Sequence, residues 1–139
     1  MQSESPALDV DQGPRILVVD DNKDAADSLA VLLGLLGHHV QVVYNGLEAV
    51  ECARSFRPAL VIMDINMPVM DGYEAARKIR GAGGRERTFL VALTACTSED
   101  DREAAAQAGF DLHLRKPASA ASVIHVVSQA LAGGDDPSA

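Results

Sequence analysis

Short apolar runs alternate along this chain with longer segments whose apolar residues recur every three or four positions. The runs are Ile16-Leu17-Val18-Val19, Val40-Gln41-Val42-Val43, Leu60-Val61-Ile62-Met63, Phe89-Leu90-Val91-Ala92-Leu93 and Asp111-Leu112-His113-Leu114. The first, third and fourth are continuously apolar, the pattern of strands covered on both faces of a parallel sheet. The second and fifth are broken by polar residues, which suits edge positions. Leu29, Leu32, Leu33 and Leu36 predict a first helix, and Leu47, Val50, Ala53 and Phe56 a second. Tyr73, Ala76 and Ile79 predict a third; Val123, Ile124, Val127 and Leu131, behind a Ser119 cap, predict the last. The stretch Glu99 to Ala108 has alanines but no large apolar residue. Alanine keeps it helical, yet it buries little area and should be weakly anchored. Five βα repeats with right-handed crossovers make a doubly wound α/β sandwich around a five-stranded parallel sheet.

The 139 residues suffice for one domain. Residues 1–14 and 133–139 are poor in large apolar side chains and predict disordered tails around a globular part at 15–132. A net charge of −8 argues against nucleic acid, whose phosphates call for a basic face. No apolar run approaches the roughly 20 residues of a membrane span, and the polar, acidic N-terminus is no signal peptide. Cys52 and Cys96 form neither a CxxC nor a metal-ligand pattern, so the expected compartment is the cytoplasm.

Ligands of doubly wound folds sit outside the carboxyl ends of the strands. There the first strand ends in Asp20-Asp21, the third in Asp64, the fourth in Thr94 and the fifth in Lys116. Singly, each has an ordinary explanation as a helix cap or a solvated strand end. Together, three carboxylates in one crevice raise each other's pKa unless a cation joins them. A divalent ion plus Lys116 would cancel their formal charge, and an all-oxygen ligand set favours Mg²⁺ over Zn²⁺. A carboxylate beside such an ion can attack phosphorus, with Lys116 and the Thr94 hydroxyl to meet the transferred oxygens.

Val18-Val19-Asp20-Asp21-Asn22, Met63-Asp64-Ile65-Asn66-Met67-Pro68-Val69-Met70-Asp71-Gly72, Leu93-Thr94-Ala95 and Lys116-Pro117 together resemble the signature of the response-regulator receiver domain of two-component signalling. The resemblance runs from about Arg15 to Leu131. It implies the flavodoxin-like strand order 2-1-3-4-5. It also implies that Asp64 accepts a phosphoryl group from a histidine kinase or a histidine phosphotransfer protein. Asp20, Asp21 and Asp64, with the backbone carbonyl of Asn66, then match the Mg²⁺ ligands. Thr94 matches the switch hydroxyl, and Lys116 the lysine that pairs with the phosphoryl group, its bond to Pro117 being cis. An unknown downstream protein would read the helix 4–strand 5–helix 5 face.

Two features depart from that pattern or carry less weight. The family's usual switch aromatic falls on His113, whose smaller, titratable ring would mute rotation or make it pH-sensitive. The alternative is a partly exposed strand histidine with no switching role. Gly-Phe-Asp-Leu-His-Leu-Arg-Lys-Pro (109–117) also resembles receivers attached to hybrid sensor kinases. Asp71 is the expected cap of the third helix, with Pro68 and Gly72 shaping the turn around it. Cys96 is expected to border the site, Cys52 to lie on a helix near the core, and His38, His39 and His125 to lie at the surface. Gly81 to Arg87 is expected to be a loop. Rival classes are a Mg²⁺-dependent phosphatase with an aspartyl nucleophile, a flavodoxin-like cofactor module and an unphosphorylated adaptor. The first lacks the second aspartate of a DxD loop, since Asn66 stands there, and the second would face phosphate with Asp20 and Asp21.

Overall fold

The computed structural model describes residues 14–65, 67, 70–83, 88–95 and 98–133. Of the tails expected at 1–14 and 133–139, residues 1–13 and 134–139 lie outside the described residues, as do Asn66, Pro68, Val69, Gly84 to Arg87 and Cys96, while Gly133 closes the last helix. Five strands, β1 (Arg15–Val19), β2 (His39–Val43), β3 (Leu60–Asp64), β4 (Phe89–Thr94) and β5 (Leu112–Arg115), alternate with five helices. The helices are α1 (Lys23–Leu35), α2 (Gly46–Phe56), α3 (Gly72–Gly83), α4 (Glu99–Ala108) and α5 (Ala120–Gly133). All neighbouring strands are parallel in the order β2-β1-β3-β4-β5, so β2 and β5 are the edges their polar interruptions suggested.

Alternation along the buried strands divides the core in two. Leu17, Val19, Val61, Met63, Leu90 and Ala92 pack on one face with buried residues of α2, α3 and α4. Ile16, Val18, Leu60, Ile62, Val91 and Leu93 pack on the other with those of α1 and α5. The helices cover this sheet with narrower arcs than their apolar spacing predicts. Of the four leucines assigned to α1 only Leu33 is fully buried, and Leu36 is exposed at the C-cap. In α2 the buried residues are Gly46, Ala49 and Val50, with Leu47 turned outward. In α5 they are Val123, Val126, Val127 and Ala130, one helical face that leaves Ile124 exposed. The third helix continues to Gly83, through the first part of the segment expected as a loop.

Local side chains start each helix. Asn22 accepts from the Ala25 amide, Asn45 from Glu48, Asp71 from Glu74, Ser98 from Asp101 and Ser119 from Ser122. As expected from its composition, α4 buries only alanines, Ala105 and Ala108.

Candidate functional site

Register brings the chemistry to one rim. β1 pairs with β2 on one side and β3 on the other, so the chain leaves β1 and β3 on either side of the switch in strand order. Asp64 pairs with Leu93 and Thr94 with Arg115, which sets the ends of β3, β4 and β5 level. Asp20, Asp64 and Thr94 are the buried polar residues among those described, at 2%, 3% and 7% exposure. Asp21 stays exposed beside them.

One carboxylate oxygen from each of Asp20, Asp21 and Asp64 lies within 4.8 Å of the others. Lys116 Nζ stands 3.2 Å from Asp64 Oδ2 and 3.6 Å from Asp20 Oδ2. The Asn22 amide donates to Asp20 Oδ1 at 3.0 Å, turning the first residue of the loop back into the crevice. Burial, then the neighbouring Asp20 charge, pushes the Asp64 carboxyl up to about 6, although Lys116 works against both. Burial opposes the charged form of Lys116 too, but Asp64 and Asp20 outweigh it and hold the ammonium above its ordinary range. A single lysine therefore does not neutralise the crevice. The donors are hard oxygens, three of them close enough to share one ion, and they fit Mg²⁺.

The scaffold around Asp64 is tight. A Cβ on Gly72 would come within 2.7 Å of both the Asp64 carbonyl oxygen and Ile65 Cα. The Gly72 amide donates to the Ile65 carbonyl at 2.9 Å. Glycine here is required by close approach, a different reason from the freedom at the turn that the sequence suggested. The Lys116–Pro117 bond is cis, as the resemblance implied, and the Lys116 amide donates to the Thr94 carbonyl at 2.9 Å. Thr94 and His113 border a gap of about 10 Å³ with Ile65, Asp101, Arg102 and Ala105. On the other flank a groove of about 620 Å³ opens at Asp20 and Lys116 and runs between Leu29 and Leu32 of α1 and Val123 of α5.

The remaining candidates lie apart from this rim. The Cys52 thiol contacts Gln41 Oε1 at 3.2 Å, and burial raises its pKa. His39 begins β2 and packs its ring 5.5 Å from that of Phe56. His38, expected at the surface, is half-buried; Nδ1 is buried without a hydrogen-bond partner, and burial lowers its pKa. His125 is exposed on α5.

Residues 16–128 match the family model for the response regulator receiver domain. The chain is 39% identical over 114 residues to an uncharacterized 14.6 kDa protein in the sodA1 3' region of Leptolyngbya boryana, covering 82% of this chain and 87% of that one. It is 39% identical over 103 residues to the response regulator MprA of Mycobacterium tuberculosis. That match takes in 74% of this chain but only 44% of MprA. Among solved structures, the receiver domain of the sensor histidine kinase PA1611 of Pseudomonas aeruginosa has a magnesium ion coordinated in its active site cleft. It superposes with a TM-score of 0.79 at 35% identity, over 86% of this chain and 98% of its own. The chemotaxis protein CheY4 of Vibrio cholerae gives 0.81 at 26% identity, over 85% and 98%. The acidic crevice at the switch in strand order and these matches have one explanation: the chain belongs to the response-regulator receiver family of two-component systems.

Proposed function

We propose that this receiver is a phosphorylation-dependent switch in which Asp64 takes a phosphoryl group from a phosphohistidine, on a histidine kinase or a histidine phosphotransfer protein. The observation that carries the reading is a buried carboxylate pushed up to about 6, flanked by a second carboxylate and an ammonium. Asp20, Asp21 and Asp64, with the backbone carbonyl of Asn66, would hold Mg²⁺, which supplies positive charge to the phosphoryl oxygens.

Asp64 contributes the attacking oxygen. A P–O bond forms as the P–N bond to imidazole breaks, and the electron pair leaves on the imidazole nitrogen, which picks up a proton. Lys116, already within reach of Asp64, pairs with one phosphoryl oxygen, and the Thr94 hydroxyl donates to another. Attack by water later releases inorganic phosphate and restores the carboxylate. In this reading the chain catalyses only its own modification and its reversal. The added charge draws Thr94 inward, His113 adjusts across the small gap they share, and the thinly anchored α4 shifts. A downstream protein then reads the α4–β5–α5 face. We assign the protein to the cytoplasm on its cysteine usage; among the described residues no helix is long and apolar enough to cross a membrane.

A second reading, a receiver belonging to a hybrid sensor kinase, is favoured by the 35% identity to the PA1611 receiver and by His113 in the Gly109 to Pro117 stretch. Onward transfer to a histidine phosphotransfer protein would be its output. The test common to both is labelling from a phosphohistidine donor or acetyl phosphate. Acid-labile, base-stable label is the mark of phosphohistidine and would not fit an acyl phosphate, which base and hydroxylamine cleave. The expected label is Mg²⁺-dependent and absent from Asp64→Asn; undiminished label in that variant would overturn the assignment.

A further inference from the structure

The two ends of α4 are held by different means. At its C-terminal end Arg80 reaches over from α3 and gives both Nε and Nη2 to the Gly109 carbonyl, at 3.0 and 2.7 Å. Nη2 also pairs with Asp111 Oδ2 at 2.6 Å, and Nη1 donates to the Thr88 carbonyl at 2.6 Å. Asp111 Oδ2 in turn accepts from the Leu90 amide at 2.9 Å, tying the clasp into β4. Gly109 is the C-cap, with φ 113°, and a Cβ there would meet Arg80 Cγ at 2.8 Å. Both the backbone turn and the guanidinium's approach thus require glycine. Phe110 is buried directly after it.

At the other end, Ser98, Glu99, Asp100, Arg102 and Glu103 are exposed. Among the described residues the side-chain hydrogen bonds at this end are local: the Ser98 hydroxyl accepts from the Asp101 amide, and Asp101 accepts from Ser98. This reciprocal cap holds the first turn to itself rather than to the body of the protein. The first buried residue of the helix is Ala105.

We propose that α4 is a lever hinged at Gly109: the Arg80 clasp pins its C-terminal end to α3 and β4, while its self-capped N-terminal end swings as a unit beside Thr94. Charge-assisted, forked hydrogen bonds make opening at Gly109 far costlier than opening at Ser98, where only exposed side chains and the edge of the small gap are disturbed. The link from this motion to signalling rests on the proposed function; the hinge itself does not.

Amide hydrogen exchange on the full chain, without metal or phosphodonor, tests it. Protection factors of Ala108, Gly109 and Phe110 are expected to exceed those of Arg102, Glu103 and Ala104 by about tenfold or more. In Arg80→Gln that ratio should fall to within about threefold, through faster exchange at the C-terminal end. Arg80→Lys keeps the charge but loses the fork, and should fall in the same direction; it serves alone if Arg80→Gln does not fold. Leu33→Ala, on the opposite face of the sheet, should lower protection throughout while preserving the ratio. Equal protection at the two ends of the wild-type helix, a ratio retained in both Arg80 variants, or one lost equally in Leu33→Ala would overturn the hinge. Failure of Asp64 to accept phosphate would count against the proposed function and leave these ratios where they are.

Discussion

Basic side chains stand among acidic and carbonyl oxygens at both ends of the sheet, with opposite results. At the amino end Arg80 meets two carbonyls and the Asp111 carboxylate, all at 3.0 Å or less. Nearby on the same end, Arg15 gives Nε and Nη2 to the carbonyls of Phe56 and Arg57. The cations there have the acceptors they need, and the groups knit helix ends to strand starts. At the carboxyl end one ammonium faces two buried carboxylates with a third beside them, and Asp64 responds by holding its proton up to about 6. A folded protein tolerates that imbalance where a ligand completes it. The satisfied end is architecture, and the unsatisfied end is where the proposed function places a cation and a phosphoryl group.

Breaking the unsatisfied end should have the largest effects. Asp64→Asn should reduce phosphoryl labelling to background, read by radiolabel retention on gels. Asp21→Ala should weaken Mg²⁺ binding by at least about tenfold, the scale seen even for outer-shell losses at metal sites; a titration at fixed ionic strength reads this. Gly72→Ala sets a methyl group against the backbone of Asp64 and Ile65, so it should cost about 1–3 kcal/mol in urea denaturation and lower the labelling rate as well.

A pH series sharpens the same contrast. Because the Asp64 carboxyl is raised from 3.8 to about 6, the native state holds this proton more tightly than the unfolded chain. Metal-free protein should lose stability as pH climbs through that interval, by on the order of 2 kcal/mol, and Asp64→Asn should not. The raised Lys116 acts only as pH passes its own alkaline range, outside this window. Denaturation midpoints in chelator at pH 4 and pH 7, wild type against variant, measure the difference. Arg80→Gln at the satisfied end should cost about 2 kcal/mol of stability while leaving Mg²⁺ affinity within about twofold.

How much of this was legible in the sequence depended on the range of the interaction. The strand cores of β1, β3 and β4 announced themselves because both faces of a central strand are covered, and a continuous apolar run has no other comfortable place. Helix faces were less legible. Leu36, Leu47 and Ile124 keep helical spacing yet lie outside the arcs that touch the sheet, since spacing identifies a stripe but not its edges. The rim came from topology: once strand ends are known to converge, Asp20, Asp64, Thr94 and Lys116 must meet. The Arg80 clasp left no sequence signal, because its partners lie 8 to 31 residues away and two of them are main-chain carbonyls, which any residue could offer. Gly72 was visible as a residue but its reason was not, since close approach to Asp64 exists only in three dimensions.

In the proposed function one oxygen of Asp64 becomes bonded to phosphorus. Borohydride reduction of the phosphorylated protein, followed by peptide mass spectrometry, reads the modified position directly, because reduction of an aspartyl phosphate leaves homoserine. Homoserine at position 64 is the predicted result; homoserine at another aspartate, with residue 64 still aspartate in labelled protein, would contradict it.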